Sequence, residues 1–204
     1  MMKSSKITNV KALVKTKFLS MYEAKYENRV GAKKSWIIAT RKSEEFLNEK
    51  FFANKKDVED AVLIAALHKP SNKLVLVKQF RVPTNDFVYE LTAGLIDEGE
   101  KSETAAEREL KEETGLKLLE VISEKKKLYL SPGMTDESVN LIFCTCEGEI
   151  SDEFLEDDEC IEAIMISQEE ALDLVNSDAV MDAKCYLVLQ SFAVLGERLF
   201  EKSK

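Results

Sequence analysis

The fold is decided by residues 94–116, which read GLIDEGEKSETAAERELKEETGL. Residues 102–114 have a helical pattern, because Ala106 and Leu110 fall on one stripe of a helix. Gly115 follows directly, where the C-terminus of a helix favours glycine. We therefore predict a helix over 102–114 that is entered from a glycine-containing loop.

Acidic side chains dominate this segment, with eight acids and three bases between residues 97 and 113. Glu109, Glu112 and Glu113 lie within one helical turn, so their carboxylates share one face of the predicted helix. Like charges at such spacings repel, and a hard divalent cation would turn that repulsion into coordination. Oxygen ligands without Cys or His favour Mg²⁺ or Mn²⁺. A solvated, charged helix face is the alternative that composition alone leaves open.

The spacing of the polar residues makes the pattern specific. Gly94 is followed by five residues, then Glu100, then seven residues and the run RELKEETGL at 108–116. This arrangement resembles the Nudix box, G-x5-E-x7-R-E-U-x-E-E-x-G-U with U aliphatic, at every specified position. The resemblance implies the Nudix fold, an α+β fold with a mixed β-sheet between helices. It also implies hydrolysis of a nucleoside diphosphate that is linked to another moiety.

The resemblance assigns roles to individual residues of the box. The implied cofactor is Mg²⁺ or Mn²⁺, and its ligands are Glu109, Glu112, Glu113 and the carbonyl oxygen of Ala93. Catalytic roles are implied for Glu112, Glu113 and Arg108. Arg108 and Glu100 match a pair that braces the helix against its loop, and the positions that need a small or left-handed residue are Gly94 and Gly115.

Segments outside the box resemble those of ADP-ribose pyrophosphatases. Residues 79–81 and 89–100, QFR and YELTAGLIDEGE, are similar to that subfamily's approach to the box, with Thr92 in place of its usual proline. Residues 131–133, SPG, match a second marker of the subfamily. The residues that the resemblance implies in substrate binding are Arg81, Trp36, Arg41, Glu137 and Gly133.

Two of these segments also have plain structural interpretations. Trp36 and Arg41 are similar to a segment whose indole stacks on adenine and whose arginine meets phosphate, and Glu137 follows where relatives contact the terminal ribose. A tryptophan ahead of a strand could instead be a core residue. Residues 131–133 could form an ordinary turn.

The activity implied is Mg²⁺-dependent hydrolysis of the pyrophosphate bond of ADP-ribose to AMP and ribose 5-phosphate. In the resembling subfamily the general base comes from a loop well after the box, which implies the loop 149–162 here. Glu159, just before the strand 161–166, is the first choice and Glu156 the second, while Glu112 could act itself, as in other branches of the family. A solvated acidic loop is the alternative. The acids near the middle of the loop are Asp152, Glu153, Glu156, Asp157, Asp158 and Glu159.

Two other functions stay open at this point. A pyrophosphatase for another nucleotide sugar, UDP-glucose or GDP-mannose, would use the same chemistry with different base and sugar pockets. A non-catalytic ADP-ribose sensor would belong to another class, although such modules commonly lose glutamates that this chain retains.

Composition excludes several classes of function. The 204 residues carry a net charge of -9, which argues against bulk nucleic-acid binding. Four cysteines and one histidine lack the spacing of a zinc site. No apolar run is long enough to predict a membrane span. Together with the resemblance, which implies a small nucleoside diphosphate as substrate, these observations lead us to expect a cytoplasmic enzyme without a nucleic-acid or membrane partner.

We expect two regions in the chain. Residues 1–57 are predicted to be a β-rich region for dimerisation and substrate binding, because such a segment swaps between subunits in the resembling subfamily, which implies a homodimer. Residues 58–204 are predicted to form the Nudix domain. A helix is predicted over 42–56, without an assigned role. The other predicted strands are 7–19, 35–41, 61–67, 74–77, 87–91, 118–123, 127–129, 139–146 and 161–166, and the other predicted helices are 167–176 and 182–202.

Overall fold

A computed structural model describes residues 5–156 and 159–202, which divide into two units. The first unit contains the residues up to Asp60 together with Lys127–Val139. The second contains Ala61–Lys126 and the residues from Asn140 onwards. The segment Lys127–Val139, which the sequence analysis placed in the region 58–204, thus belongs to the first unit.

The first unit is built on an antiparallel sheet of three strands in the order β1-β2-β3. Side chains of alternate residues point to opposite faces of a sheet, and here Val10, Tyr22 and Ala24 are buried on one face together with Leu47 of a helix. The helix predicted over 42–56 is thereby confirmed in a shorter form. These elements are β1 (Lys6–Val14), β2 (Ser20–Glu27), β3 (Lys33–Thr40) and α1 (Glu44–Phe52).

The second sheet has seven strands, and its central strand explains the apolar run at 61–67. All eight residues of that strand, β4 (Ala61–His68), are buried, as expected for a strand that is covered on both faces. Its neighbours in the order β10-β5-β4-β9-β8 complete the sheet, while β6 pairs with β5 and β7 with β4. These strands are β5 (Lys73–Arg81), β6 (Asp86–Glu90), β7 (Thr92–Leu95), β8 (Lys117–Tyr129), β9 (Ser138–Glu147) and β10 (Ile161–Ile166).

Helices pack on both faces of this sheet. Helix α2 (Ser102–Thr114) buries Ala106 and Leu110 against a cluster that includes Ile142 of β9. The next residue of β9, Phe143, points to the other face and packs its ring 5.8 Å from that of Phe200. The predicted α+β fold is confirmed. The remaining helices are α3 (Gln168–Val175), α4 (Ala183–Leu195) and a 3₁₀ helix (Gly196–Phe200).

Three element predictions were wrong in their extent. Strand β1 ends at Val14, so the predicted strand 7–19 stops early, and the prediction missed β2 and β7 altogether. Strand β8 is continuous where two strands were predicted. The predicted helix 182–202 changes to a 3₁₀ helix at Gly196, whose φ of 58° cannot continue an α-helix. No helix among the described residues is long and apolar enough to cross a membrane.

Candidate active site

The packing of helix α2 buries its three Nudix-box glutamates, Glu109, Glu112 and Glu113, to different degrees. Leu110 is fully buried, and this orientation turns Glu113 inwards as well, leaving it 6% exposed. The side chain of Glu109 is 14% exposed, whereas that of Glu112 is 44% exposed. The helix therefore carries one buried, one partly buried and one solvent-facing carboxyl group.

Glu113 is the most perturbed acid of the site. Burial raises the pKa of its carboxyl to about 8, and the nearby charges of Glu109 and Glu159 act in the same direction. The backbone N–H of Ala93 donates a hydrogen bond of 3.2 Å to Glu113 Oε2, which lowers the pKa but does not offset the burial. Without another positive charge, Glu113 is therefore largely protonated at neutral pH.

The backbone of Gly94 lies against the carboxyl group of Glu109. A Cβ atom added at Gly94 would lie 1.8 Å from Glu109 Cδ and about 2 Å from both carboxyl oxygens. Only glycine leaves room for this contact. The backbone of Ala93 and Gly94 thus contacts both Glu109 and Glu113, and Ala93 makes its contact through the N–H and not through the carbonyl oxygen that is the predicted ligand.

Arg108 binds Glu100, the partner that the resemblance implies for it, and it has further partners. Its guanidinium donates two hydrogen bonds to Glu100, one to the carbonyl oxygen of Leu95, one to Glu109 and one to Glu112, at 2.8–3.2 Å. An arginine has five N–H donors, so every one of them binds a protein oxygen. Hydrogen bonds to Glu100 contribute most to the raised pKa of Arg108. The side chain holds α2 against its preceding loop, and its predicted catalytic role stays a prediction.

The fit of a divalent cation can be judged from these donors. Among the described residues, no three Asp, Glu, His or Cys side chains stand together as a ready ligand set, and Arg108 forms ion pairs with both Glu109 and Glu112. The oxygen donors nevertheless suit a hard cation. Burial raises the pKa of Glu109 as well as that of Glu113, so a cation bound beside them would stabilise their charged forms.

Gly115 ends α2 as the sequence predicts. Its φ is 74°, and its N–H donates to the carbonyl oxygen of Lys111. A Cβ at this position would also lie 2.7 Å from Ser151 Cβ. Since the N–H of Ser151 binds the carbonyl oxygen of Thr114, the glycine fixes the start of the acidic loop against the end of the helix.

The acidic loop, residues 149–162, places the carboxylate of Glu159 near the glutamates of helix α2. Glu159 and Glu156 are joined by two hydrogen bonds of 3.0 Å, one between their backbones and one from the Glu156 N–H to the Glu159 carboxylate. The charge of Glu159 contributes to the raised pKa values of both Glu109 and Glu113, so these three carboxyls are electrostatically close. Asp157 and Asp158 lie outside the described residues.

Arg81 is held by an acid that the sequence analysis did not identify. Nε and Nη2 of Arg81 donate to the two carboxyl oxygens of Glu90 at 2.6 and 2.8 Å. This bidentate pair raises the pKa of Arg81, and the charge of Glu113 adds to that effect. The pairing of β5 with β6 brings Arg81 and Glu90 together. The sequence alone does not give the register of these two strands, so it could not predict this contact.

The predicted substrate-binding residues of the first unit form two pairs. Trp36 Nε1 donates a 3.0 Å hydrogen bond to the carbonyl oxygen of Gly133, and Arg41 Nε donates to Glu137 Oε1 at 2.9 Å. Trp36 is 53% exposed, so the core interpretation of this residue is wrong. The structure therefore joins residues that are almost a hundred positions apart and that only a resemblance had linked.

The chain is similar to known proteins in its sequence. The NUDIX domain family model matches residues 58–185. An ADP-ribose pyrophosphatase of Bacillus subtilis (strain 168) is 36% identical over 143 residues, which are 68% of this chain and 76% of that protein. A Caenorhabditis elegans protein named as a nudix hydrolase is 42% identical over 125 residues, and the match spans 56% of each chain, so just over half of that relative is covered.

A solved structure resembles the chain over nearly its whole length. The crystal structure of an ADP compounds hydrolase has a TM-score of 0.72 to this chain and covers 95% of it and 96% of its own chain. The sequences are 20% identical. This likeness shows a shared fold.

Proposed function

Since this chain belongs to the Nudix family of hydrolases, we propose that it hydrolyses the pyrophosphate bond of ADP-ribose and releases AMP and ribose 5-phosphate. The observation that carries the proposal is the packing of the Glu109 and Glu113 carboxyls against the backbone of Ala93 and Gly94. This contact gathers carboxyl oxygen donors in one place. The name of the Bacillus subtilis relative, an ADP-ribose pyrophosphatase, supports the choice of substrate.

The oxygen donors proposed to hold Mg²⁺, or Mn²⁺ in its place, are the carboxylates of Glu109, Glu112 and Glu113 and the carbonyl of Ala93. A divalent cation bound there would supply positive charge against the pyrophosphate oxygens and lower the pKa of a water molecule. Arg81 adds a fixed positive charge, because Glu90 orients its guanidinium through two hydrogen bonds. Such a preorganised charge stabilises the negative charge that develops on phosphoryl oxygens.

The proposed reaction is the attack of water on one phosphorus atom of the pyrophosphate. The bond between that phosphorus and the bridging oxygen breaks, and the leaving phosphate retains the bridging oxygen. Glu159 accepts the proton that the water loses. Glu159 is preferred to Glu156 because its charge acts on Glu109 and Glu113, whereas Glu156 contributes its backbone to the loop and has an exposed side chain.

A substrate panel tests the proposed function. We expect purified protein with Mg²⁺ to hydrolyse ADP-ribose with a higher kcat/KM than UDP-glucose, GDP-mannose, NADH, diadenosine polyphosphates or dNTPs. Released monophosphates are measured by phosphatase-coupled phosphate detection. A preference for another sugar nucleotide would refute ADP-ribose as the substrate but would agree with the proposed hydrolysis of a pyrophosphate bond. Tight binding of ADP-ribose without hydrolysis of any compound would support the sensor function instead.

Replacing Glu159 by glutamine tests the general base. The amide oxygen of the variant can still accept the hydrogen bond from Glu156 N–H, so the loop keeps its anchor while the proton acceptor is lost. We expect kcat to fall at least ~100-fold with little change in KM. Glu156→Gln is the matched control and is expected to retain wild-type kcat. Wild-type turnover by Glu159→Gln would remove Glu159 from this role.

We also propose that the protein is a cytoplasmic homodimer. Several large apolar side chains near the β1–β2 connection are more than 40% exposed, among them Leu13, Phe18, Leu19 and Met21, and such clusters mark contact surfaces. All four cysteines are unpaired, as is usual in a reducing compartment. A mass in solution of twice 23.1 kDa is expected from light scattering, and the monomer mass would contradict the dimer.

A further inference from the structure

Thr92 carries a buried hydroxyl that forms no hydrogen bond with any described residue. The side chain is fully buried, and its Oγ1 has no partner. Two other buried side-chain oxygens share this condition, but they belong to Asp57 and Asp136, and the second oxygen of each of these carboxylates binds Lys50. A buried hydroxyl without a partner destabilises the folded state, so its presence requires an explanation.

The side chain of Thr92 lies on the face of the sheet that α2 covers. Thr92 is the first residue of β7 and pairs with Ile64 of β4, which packs in one cluster with Leu110 of α2. Directly paired residues of antiparallel strands share a face, and so do alternate residues of one strand. Thr92 therefore faces the same way as Gly94, the residue against which the Glu109 carboxyl lies. The unpaired hydroxyl is thus on the side of the acidic groups of α2.

The residue that follows Thr92 binds the carboxyl group of Glu113. Ala93 N–H donates to Glu113 Oε2 at 3.2 Å, and only a few covalent bonds separate this nitrogen from the Thr92 hydroxyl. Among the described residues this is the single hydrogen bond of the Glu113 carboxyl, so most of its acceptor sites are unused. A donor without an acceptor therefore adjoins an acceptor with free capacity, and a change of rotamer can join them while the backbone stays in place.

Carboxylates that bind metal ions are themselves held by hydrogen bonds from neighbouring groups, which fix their orientation. Ala93 N–H is one such donor for Glu113. The Thr92 hydroxyl would be a second, since it is buried, faces α2 and has no other partner among the described residues. Proline, which the resembling subfamily usually has at this position, has no side-chain hydroxyl. A donor of this kind is thus a feature of the present chain.

We propose that Thr92 is a positioning residue for Glu113, and that its hydroxyl donates a hydrogen bond to the Glu113 carboxylate when a divalent cation is bound. The metal-free protein then bears the cost of a buried hydroxyl without a partner. This role rests on the proposed function, since it takes Glu113 as a ligand of the cation. Removal of the hydroxyl should therefore have two opposite effects: the metal-free protein becomes more stable, and the cation binds less tightly.

Replacing Thr92 by valine tests both effects, because valine keeps the branched shape of the side chain and lacks the hydroxyl. In EDTA we expect the Tm of Thr92→Val to lie about 2–4 °C above that of the wild type. Binding of Mn²⁺ is measured without substrate, from the electron paramagnetic resonance signal of the free ion. The Kd for Mn²⁺ should rise about tenfold, as is typical when a group that orients a metal ligand is lost. Neither measurement depends on turnover.

Two control variants separate the hydroxyl from the packing of the side chain. Thr92→Ser retains the hydroxyl and should bind Mn²⁺ within about threefold of the wild-type Kd. Thr145→Val is the matched control, because Thr145 is also a buried threonine of this sheet. It lies between Cys144 and Cys146, which pack in the cluster on the α2 side, so its side chain points to the opposite face. Thr145→Val should have the wild-type Kd for Mn²⁺.

The possible results distinguish the role of Thr92 from the proposed function. A wild-type Kd for Mn²⁺ in Thr92→Val overturns this role, and so does a lower Tm of that variant in EDTA, since the hydroxyl would then already have a partner. If the wild type hydrolyses ADP-ribose in either case, the proposed function stands. A wild-type protein that binds no Mn²⁺ overturns the role as well. Weaker Mn²⁺ binding by Thr92→Val, in a protein that does not hydrolyse ADP-ribose, supports the role of Thr92 and refutes the proposed function.

Discussion

Replacing Glu113 by glutamine is expected to abolish hydrolysis and to stabilise the metal-free protein at alkaline pH. Glutamine can still accept the hydrogen bond from Ala93 N–H, so the backbone contact remains. It cannot carry the carboxylate charge that a divalent cation needs. We expect kcat to fall on the order of 10³-fold, a loss that does not arise from unfolding.

The stability effect follows from the raised pKa of Glu113. Burial brings that pKa to about 8, from an ordinary value of 4.5. Between these two pH values the folded state holds a proton that the unfolded chain has lost. The free energy of unfolding of the metal-free protein therefore falls as the pH rises through this window. The variant has no such group, and above pH 8 it should be the more stable protein by about 2–4 kcal/mol.

Thermal unfolding at pH 5, 7 and 9, with EDTA or with Mg²⁺, measures this effect. The wild type should gain most from Mg²⁺ at pH 9, because a cation replaces the missing counter-charge, and Glu113→Gln should gain little. Glu107→Gln removes an exposed acid from the same helix and serves as the control, with a wild-type pH profile. If the stabilities of the wild type and of Glu113→Gln changed with pH in parallel, the buried carboxyl would not destabilise the protein, which would contradict the prediction.

Replacing Gly94 by alanine is expected to lower kcat/KM at least ~100-fold while the fold survives. The new methyl group would overlap Glu109 Cδ, which lies 1.8 Å from the ideal Cβ position. The obstacle is the end of a flexible side chain, so Glu109 rotates away and the free energy of unfolding changes by only ~1 kcal/mol. The carboxylate of Glu109 then no longer packs against the backbone of Ala93 and Gly94.

A double-mutant cycle checks whether Gly94 acts through Glu109. If it does, Gly94→Ala combined with Glu109→Ala should be no less active than Glu109→Ala alone, because the second change has nothing left to displace. Gly99→Ala is the control: no atom lies within 4 Å of its added Cβ, although its φ is 81°. That variant should lose some stability and retain activity. If the losses of activity caused by Gly94→Ala and Glu109→Ala were additive, Gly94 would not act through Glu109.

The sequence predicted the part of the site that depends on local spacing. Helix α2, its glycine end and the pair of Arg108 with Glu100 all follow from positions within 23 residues. Helical geometry converts such spacing directly into shared faces. Ala93 was named as a ligand by the resemblance alone, and that role stays a prediction.

Contacts between distant segments could not be predicted in this way. Lys50 and Asp136 are 86 residues apart, and nothing in either local pattern indicates that they meet. Glu90 was overlooked as the partner of Arg81 because strand register decides that contact. The strand β2 was missed although Tyr22 and Ala24 alternate with charged residues, since a short alternation of this kind gives a weak signal.

The five hydrogen bonds of Arg108 have a consequence for ion selection. This guanidinium is an internal counter-ion for Glu109 and Glu112. A cation that binds the same two carboxylates therefore competes with a charge that is already in place. A monovalent ion offers no more charge than the guanidinium, whereas a divalent ion offers twice as much. We expect this competition to favour divalent over monovalent cations.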